Sequence, residues 1–162
     1  MSIFQKFEDI IAWQKARVLC QVIKKYTDKE LFSKDFKLVS QIKASSGSAM
    51  DNIAEGFERG GNKEFIQFLF ISKGSAGETR SQLYRALDNE YINKEEFQKA
   101  YDLADEVGKL IRGLINHLKE SELKEINLKV NKNRLMRNVI MSITTLNTEL
   151  KTQNYIRYES VE

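Results

Sequence analysis

The chain has 162 residues, 41% of them hydrophobic and 30% charged, with 26 Lys and Arg against 23 Asp and Glu for a net charge of +3. That length and hydrophobic content suit one globular domain plus a tail, and a charge this small does not by itself demand a nucleic-acid partner. No apolar run approaches the ~20 residues needed to cross a bilayer, the opening residues through Asp9 lack the apolar centre of a signal peptide, and the single cysteine excludes an intrachain disulfide, so a cytoplasmic address is expected.

Proline is absent, which suits long helices because an internal proline removes a backbone donor and clashes with the preceding turn. The first predicted helix spans Phe7 to Tyr26. Ile11, Val18, Val22 and Tyr26 recur there at spacings of 4 or 7, and Ile10, Trp13 and Leu19 widen the stripe. Cys20 lies in the same region and reads as a small buried hydrophobe. The second predicted helix, Asp35 to Phe57, has Val39, Ile42, Ala49, Ile53 and Phe57 as its apolar face, interrupted by small residues from Ala44 to Ala49. The Arg59-Gly60-Gly61-Asn62 turn ends it, since glycine readily takes the left-handed conformation that closes a helix.

Asn62 is positioned to cap the third helix, which runs to about Asn89 with Phe65, Phe68, Leu69, Ser72, Ala76, Thr79, Leu83 and Ala86 at helical spacing. Asn93 and Glu96 form a reciprocal capping pair for the fourth. Its stripe is Phe97, Tyr101, Ala104, Val107, Leu110, Ile111, Leu114 and Leu118. Four helices joined by short links predict an all-α fold, an antiparallel up-and-down four-helix bundle over residues 1–121 with a C-terminal extension over 122–162. The second and third helices both carry small residues in their middles, so close approach is expected between them. In the extension, Leu135, Val139, Ile143, Leu146 and Leu150 allow a fifth helix from about Asn133 to Lys151 or, alternatively, a disordered segment.

Residues 1–121 carry 19 basic and 18 acidic side chains; residues 122–162 carry 7 and 5. The stretch Lys124 to Arg137 is the most basic run, with five basic residues against Glu125. A solvated segment and a phosphate-binding segment both fit such a run.

Catalytic arrangements fail on residue type and spacing. His117 is the only histidine, and the residue three before it is Leu114, so neither a multi-histidine metal centre nor a Glu-x-x-His bundle site is expected. Gly74-Ser75-Ala76-Gly77 lacks the spacing and the preceding strand of a nucleophile elbow. Gly61-Asn62-Lys63-Glu64 lacks the Gly-Lys-Ser/Thr end of a phosphate loop and follows a helix. Glu55, Glu58 and Glu78 have no accompanying metal ligands. Glu55 and Glu78 are expected to sit among small residues with Asn52, Arg80 or Lys43 as donors, and Glu78 is expected to bridge two helices. No enzyme activity, cofactor or metal is expected.

The ordered elements Asp9-Ile10-Ile11-Ala12-Trp13-Gln14-Lys15-Ala16, Ser40-Gln41-Ile42-Lys43, Asn52-Ile53-Ala54-Glu55-Gly56, Glu64-Phe65, Phe68-Leu69 and Gly74-Ser75 with Glu78 resemble the four-helix-bundle proteins encoded in 23S rRNA intervening sequences. The resemblance covers roughly residues 5–120. Two departures stand out: Ser48-Ala49-Met50-Asp51-Asn52 has no proline where that family usually has one, and Lys43-Ala44 replaces a paired arginine.

The resemblance implies a homo-oligomer, a ring of five bundles. It also implies kinship with accessory proteins of diversity-generating retroelements, which bind nucleic acid and a reverse transcriptase. The leading functional expectation is therefore a non-catalytic oligomer that binds RNA or DNA electrostatically. Lys34, Lys37, Lys43, Arg59, Lys63, Lys132, Arg134 and Arg137 are the candidate phosphate contacts. Asn52, Ala54, Glu55, Gly56, Gly74, Ser75 and Glu78 are expected to be structural. The alternative is a protein-interaction scaffold, with a reverse transcriptase as one possible client, that uses apolar residues left outside the core such as Phe4, Phe32 and the tail stripe.

Overall fold

A computed structural model describes residues 4–159, with side chains through residue 142 and at Thr144. Met1 to Ile3 and residues 160–162 lie outside the described residues, as do the side chains of Ile143, Leu146 and Leu150. A single 3₁₀ turn, Phe7–Asp9, leads into α1 (Ile11–Thr27), a short α2 (Glu30–Ser33), α3 (Phe36–Glu58), α4 (Asn62–Asp88) and α5 (Lys94–Glu159). The described residues contain no strand. The chain divides into two units, Met1–Lys119 and Glu120–Glu162.

The helix boundaries follow local chemistry. Asp9 interrupts the expected first helix: its carboxylate accepts the backbone N–H groups of Gln5 and Lys6 at 3.3 and 3.2 Å, and Ile10 is extended, so α1 begins at Ile11. Asp35 caps α3 by accepting the Leu38 N–H at 2.9 Å. Gly60 and Gly61, at φ values of 69° and 96°, make the turn into α4. Gly61 is the residue preceding the helix, so Asn62 is its first residue and not its cap. The expected pair at α5 forms: Asn93 Oδ1 accepts the Glu96 N–H at 2.9 Å and Glu96 Oε2 accepts the Asn93 N–H at 3.1 Å.

The first unit is an antiparallel bundle, visible in how its core divides. One apolar cluster joins the start of α1 (Ala12, Ala16), the end of α3 (Ala49, Ile53), the start of α4 (Phe65, Leu69) and a later stretch of α5 (Val107, Ile111, Ile115). The other joins the end of α1 (Leu19, Ile23, Tyr26), the start of α3 (Leu38, Ile42), the end of α4 (Leu83, Ala86) and the first turns of α5 (Ala100, Ala104). Chain direction therefore alternates along α1, α3, α4 and α5, as short connections require.

Two expectations need correction. In α1, Ile11 and Val18 are 57% and 44% exposed, while Ala12, Ala16, Leu19, Ile23 and Tyr26 are buried. The period is right but the buried seam is shifted, because the bundle accommodates two alanines where α1 meets its neighbours and turns Ile11 and Val18 outward. Phe32 is 1% exposed; it stacks on Tyr91 with ring centroids 4.9 Å apart, so it belongs to the core and not to a free surface. Phe4 is half-buried against the first cluster. Cys20 is half-buried and its thiol donates to the Ser46 carbonyl at 3.2 Å.

In the second unit α5 continues, so the separate tail helix anticipated from Asn133 is part of one helix. Every residue from Leu123 to Ser142 is exposed.

Candidate nucleic-acid interface

Exposed cations become phosphate ligands only where acids have not already neutralised them, and the structure sorts the candidates on that basis. Lys34 bridges Glu30 at 3.1 Å. Lys43 lies 3.7 Å from Asp28. Arg59 is engaged twice, by Glu55 at 2.7 Å and Glu64 at 3.0 Å, with its guanidinium 4.8 Å above the Phe68 ring. The Glu55 hydrogen bond, then that of Glu64, raises the Arg59 pKa. Lys37 and Lys63 are exposed and make no ion pair with any described residue.

Lys132, Arg134 and Arg137 are also exposed and unpaired among the described residues, as are Lys124 and Lys129. At ~100° per residue these five positions are distributed around α5 and do not form one stripe. Leu128, Leu135 and Val139 share one side of the helix, and Leu123, Ile126 and Val130 another; all six are exposed.

Of the residues expected to be structural, Gly56 and Ser75 form the α3–α4 contact and Asn52 braces Ser48 beside it, whereas Gly74, Glu55 and Glu78 are three exceptions. Gly56 is buried where the helices meet: a Cβ there would lie 2.5 Å from the Phe68 Cβ and 3.0 Å from Phe65. Glycine is required at that position by close approach, not by backbone conformation. Ser75 pairs with Ser48 at 2.9 Å, and Asn52 Nδ2 donates back to the Ser48 carbonyl at 2.8 Å. Ala54 is half-buried on α3.

Gly74 is exposed, and a Cβ there would meet nothing within 4 Å, so it does not serve the close approach. Glu55 is exposed and bound to Arg59, not enclosed among small residues. Glu78 is exposed and accepts from Gln82 of its own helix at 2.9 Å. The direct bridge to α3 is one step further in. Gln82 Oε1 accepts from Ser45 Oγ at 2.6 Å, and Ser45 Oγ lies 2.8 Å from Thr79 Oγ1. Ser72 adds a bond to the Ala49 carbonyl at 2.5 Å. The Ser45–Thr79–Gln82 layer separates the two apolar clusters, and no buried side-chain polar atom among the described residues lacks a partner.

A second cationic site went unnoticed in the sequence. Lys73 and Arg80 of α4, with Lys109 and Arg112 of α5, line a cleft of about 300 Å³ whose lining also includes Gly77 and Gly108. Arg80 and Lys109 both bind Asp105, at 2.5 and 2.7 Å. The Lys109 hydrogen bond, with Lys109, Arg80 and Arg112 charges behind it, holds the Asp105 carboxyl below its ordinary range. A sequence signal exists: Lys73 and Arg80 are separated by two helical turns and Lys109 and Arg112 by one, each pair beside a mid-helix glycine.

Arg80, expected as a donor to Glu55 or Glu78, serves Asp105 instead. His117 is exposed on α5. Among the described residues no three His, Cys, Asp or Glu side chains are grouped to hold a metal ion, and no helix is long and apolar enough to cross a membrane.

These features define an all-α bundle protein with a small-residue α3–α4 seam and unpaired cations on its surface. The family model for the 23S rRNA-intervening sequence protein matches residues 8–113, and the chain belongs to that family. It is also similar to a solved structure of a protein of unknown function from the S23 ribosomal protein family of Bacteroides thetaiotaomicron, with a TM-score of 0.60 and 27% identity over 65% of this chain and 98% of that one. No curated protein matches the chain significantly. The family match ends before the basic run of α5 and contains the whole α4–α5 cleft.

Proposed function

We propose that this is a non-catalytic, homo-oligomeric bundle protein that binds RNA or DNA through the phosphate backbone. The observation that carries the reading is the exposed set Lys124, Lys129, Lys132, Arg134 and Arg137 on α5, unpaired among the described residues, with Glu125 the one acid among them. Cations distributed around a helix suit contacts to phosphates, which need charge and reach, better than readout of base edges, which needs a shaped face. Assembly into a ring of five, as the resemblance implies, would repeat each cation and raise a small protomer charge into a larger field. Lys37 and Lys63 join this set; Lys34, Lys43 and Arg59 contribute less because their charges are already matched.

Fluorescence anisotropy of a structured RNA and a matched DNA, titrated at two salt concentrations, tests the reading. Binding that weakens steeply with salt is expected, since each neutralised phosphate releases counterions. No binding at low salt rejects it. Light scattering after size exclusion tests the pentamer separately.

A second reading is favoured by the exposed Leu128, Leu135 and Val139 on one side of α5 and Leu123, Ile126 and Val130 on another. On that reading the protein is a scaffold or accessory subunit, with a reverse transcriptase as one client. Retention of one specific protein after nuclease treatment would favour it over the first.

A further inference from the structure

We infer that the cleft between α4 and α5 is a phosphate-binding site, in which Lys73, Arg80, Lys109 and Arg112 surround a phosphate-bearing anion in a space left open by Gly77 and Gly108. The inference starts from unbalanced charge. Four cations line the cleft with one acid, Asp105, and that acid is shared by Arg80 and Lys109. Asp102 is the other acid whose charge acts on Lys109, and it also accepts from Gln98. The cleft remains net positive with both counted. Lys73 and Arg112 have no ion-pair partner among the described residues. Like charges brought together at a concave surface raise the local potential and favour an anion that satisfies several of them at once.

The shape points the same way. Gly77 and Gly108 are mid-helix residues, where glycine is less favourable than alanine. Close packing does not explain them, because a Cβ at either would meet nothing within 4 Å. Their missing side chains instead leave the cleft open. Arg80 is already held in place: Asp105 binds one end of its guanidinium and the Tyr101 ring lies 5.6 Å from its carbon. A guanidinium fixed in this way loses little freedom on receiving an oxyanion, and its planar fork suits phosphate.

Phosphate esters are the class of ligand this arrangement fits. The source is either a phosphodiester of a nucleic-acid strand, which rests on the functional reading above, or a small phosphorylated solute, which does not. The experiment separates them by using two probes on the full chain: pyrophosphate by isothermal titration calorimetry, and a labelled structured RNA by anisotropy. Three variants accompany the wild type. Gly108→Leu fills the cleft with a better helix former. Lys73→Gln with Arg112→Gln removes two cations that make no ion pair among the described residues. Gly113→Leu, at an open helical position outside the cleft lining, controls for the substitution itself.

The wild type and Gly113→Leu are expected to bind pyrophosphate. Gly108→Leu and the double variant are expected to lose at least about tenfold in affinity, the scale of one or two charge-assisted contacts, with melting temperatures no lower than wild type for Gly108→Leu. Parallel loss of RNA binding assigns the site to a strand. Loss of pyrophosphate binding with RNA binding unchanged or absent assigns it to a small solute, and in the absent case the cleft stands while the nucleic-acid reading falls. Pyrophosphate affinity unmeasurable in the wild type, or equal in the wild type and both cleft variants, overturns the inference.

Discussion

The two faces of α4 use the same kind of residue in opposite ways. Toward α3, Ser72, Ser75 and Thr79 meet Ala49, Ser48 and Ser45, and Gly56 admits Phe68 at a distance that no side chain would allow. Toward α5, Gly77 and Gly108 both line an open cleft, and a Cβ at either would meet nothing within 4 Å. On the first face small residues close the gap between helices; on the second they hold one open beneath four cations. Residue size alone does not distinguish a packing seam from a binding cleft. The charges beside it and the atoms a Cβ would meet do.

The largest expected effect lies in the seam. Gly56→Ala forces a Cβ against Phe68 and should lower stability by about 2–3 kcal/mol, as overpacking of a closed contact does; chemical denaturation measures it, and an unchanged midpoint would mean that α3 and α4 are less tightly joined than described. Next comes Ser45→Ala, which strips partners from Thr79 and Gln82 within the polar layer and should cost about 1–3 kcal/mol. Glu78→Ala, one bond outside that layer and exposed, should shift stability by less than about 0.5 kcal/mol. Equal losses from the two substitutions would move the bridge outward to Glu78.

The cleft face predicts the reverse sign. Gly108→Ala meets nothing and should raise stability by about 1 kcal/mol through helix propensity alone. A loss would reveal a contact across α4 and α5 that the open geometry denies.

The smallest effect is one of pH. Hydrogen bonds from Lys109 to Asp105 and from Lys29 to Glu96 lower both carboxyl pKa values in the folded chain. Groups with depressed folded pKa values stabilise fully above their unfolded pKa, about 4, and lose that contribution as pH falls through the folded value. Thermal melts should therefore decline on acidification below roughly pH 4, and the decline should be shallower in Asp105→Asn. An identical acid profile in wild type and variant would remove Asp105 from this linkage.

Much of this architecture was legible in the sequence. Helical spacing located α3, α4 and the start of α5, the capping pair at Asn93 and Glu96 set a boundary, and the Asn52-to-Gly56 motif with its companions pointed to the family. What escaped has physical causes. The buried seam of α1 was misplaced because hydrophobicity ranks Ile11 and Val18 above Ala12 and Ala16, whereas packing at a close helix contact rewards small volume. Phe32 looked free because α2 is too short to show a periodic pattern.

Glu78 attracted attention as a charge among small residues, but the crossing bonds come from neutral Gln82, Ser45 and Thr79, which carry no such signal. The α4–α5 cleft was hidden for another reason. Its cations come from two helices whose facing registers no single-helix pattern reveals, and Lys34, Lys43 and Arg59 looked equally available until their acidic partners were placed.

The most direct test of the functional account is the salt dependence of RNA binding in the full chain and in a Lys132→Gln, Arg134→Gln, Arg137→Gln variant. Wild-type affinity should fall steeply with salt, and the variant's slope in log K against log salt should be smaller by roughly two to three units, close to one for each phosphate contact removed. A wild-type chain that binds no RNA at low salt, or a variant with an unchanged slope, would contradict the assignment of α5 as the phosphate-contacting surface.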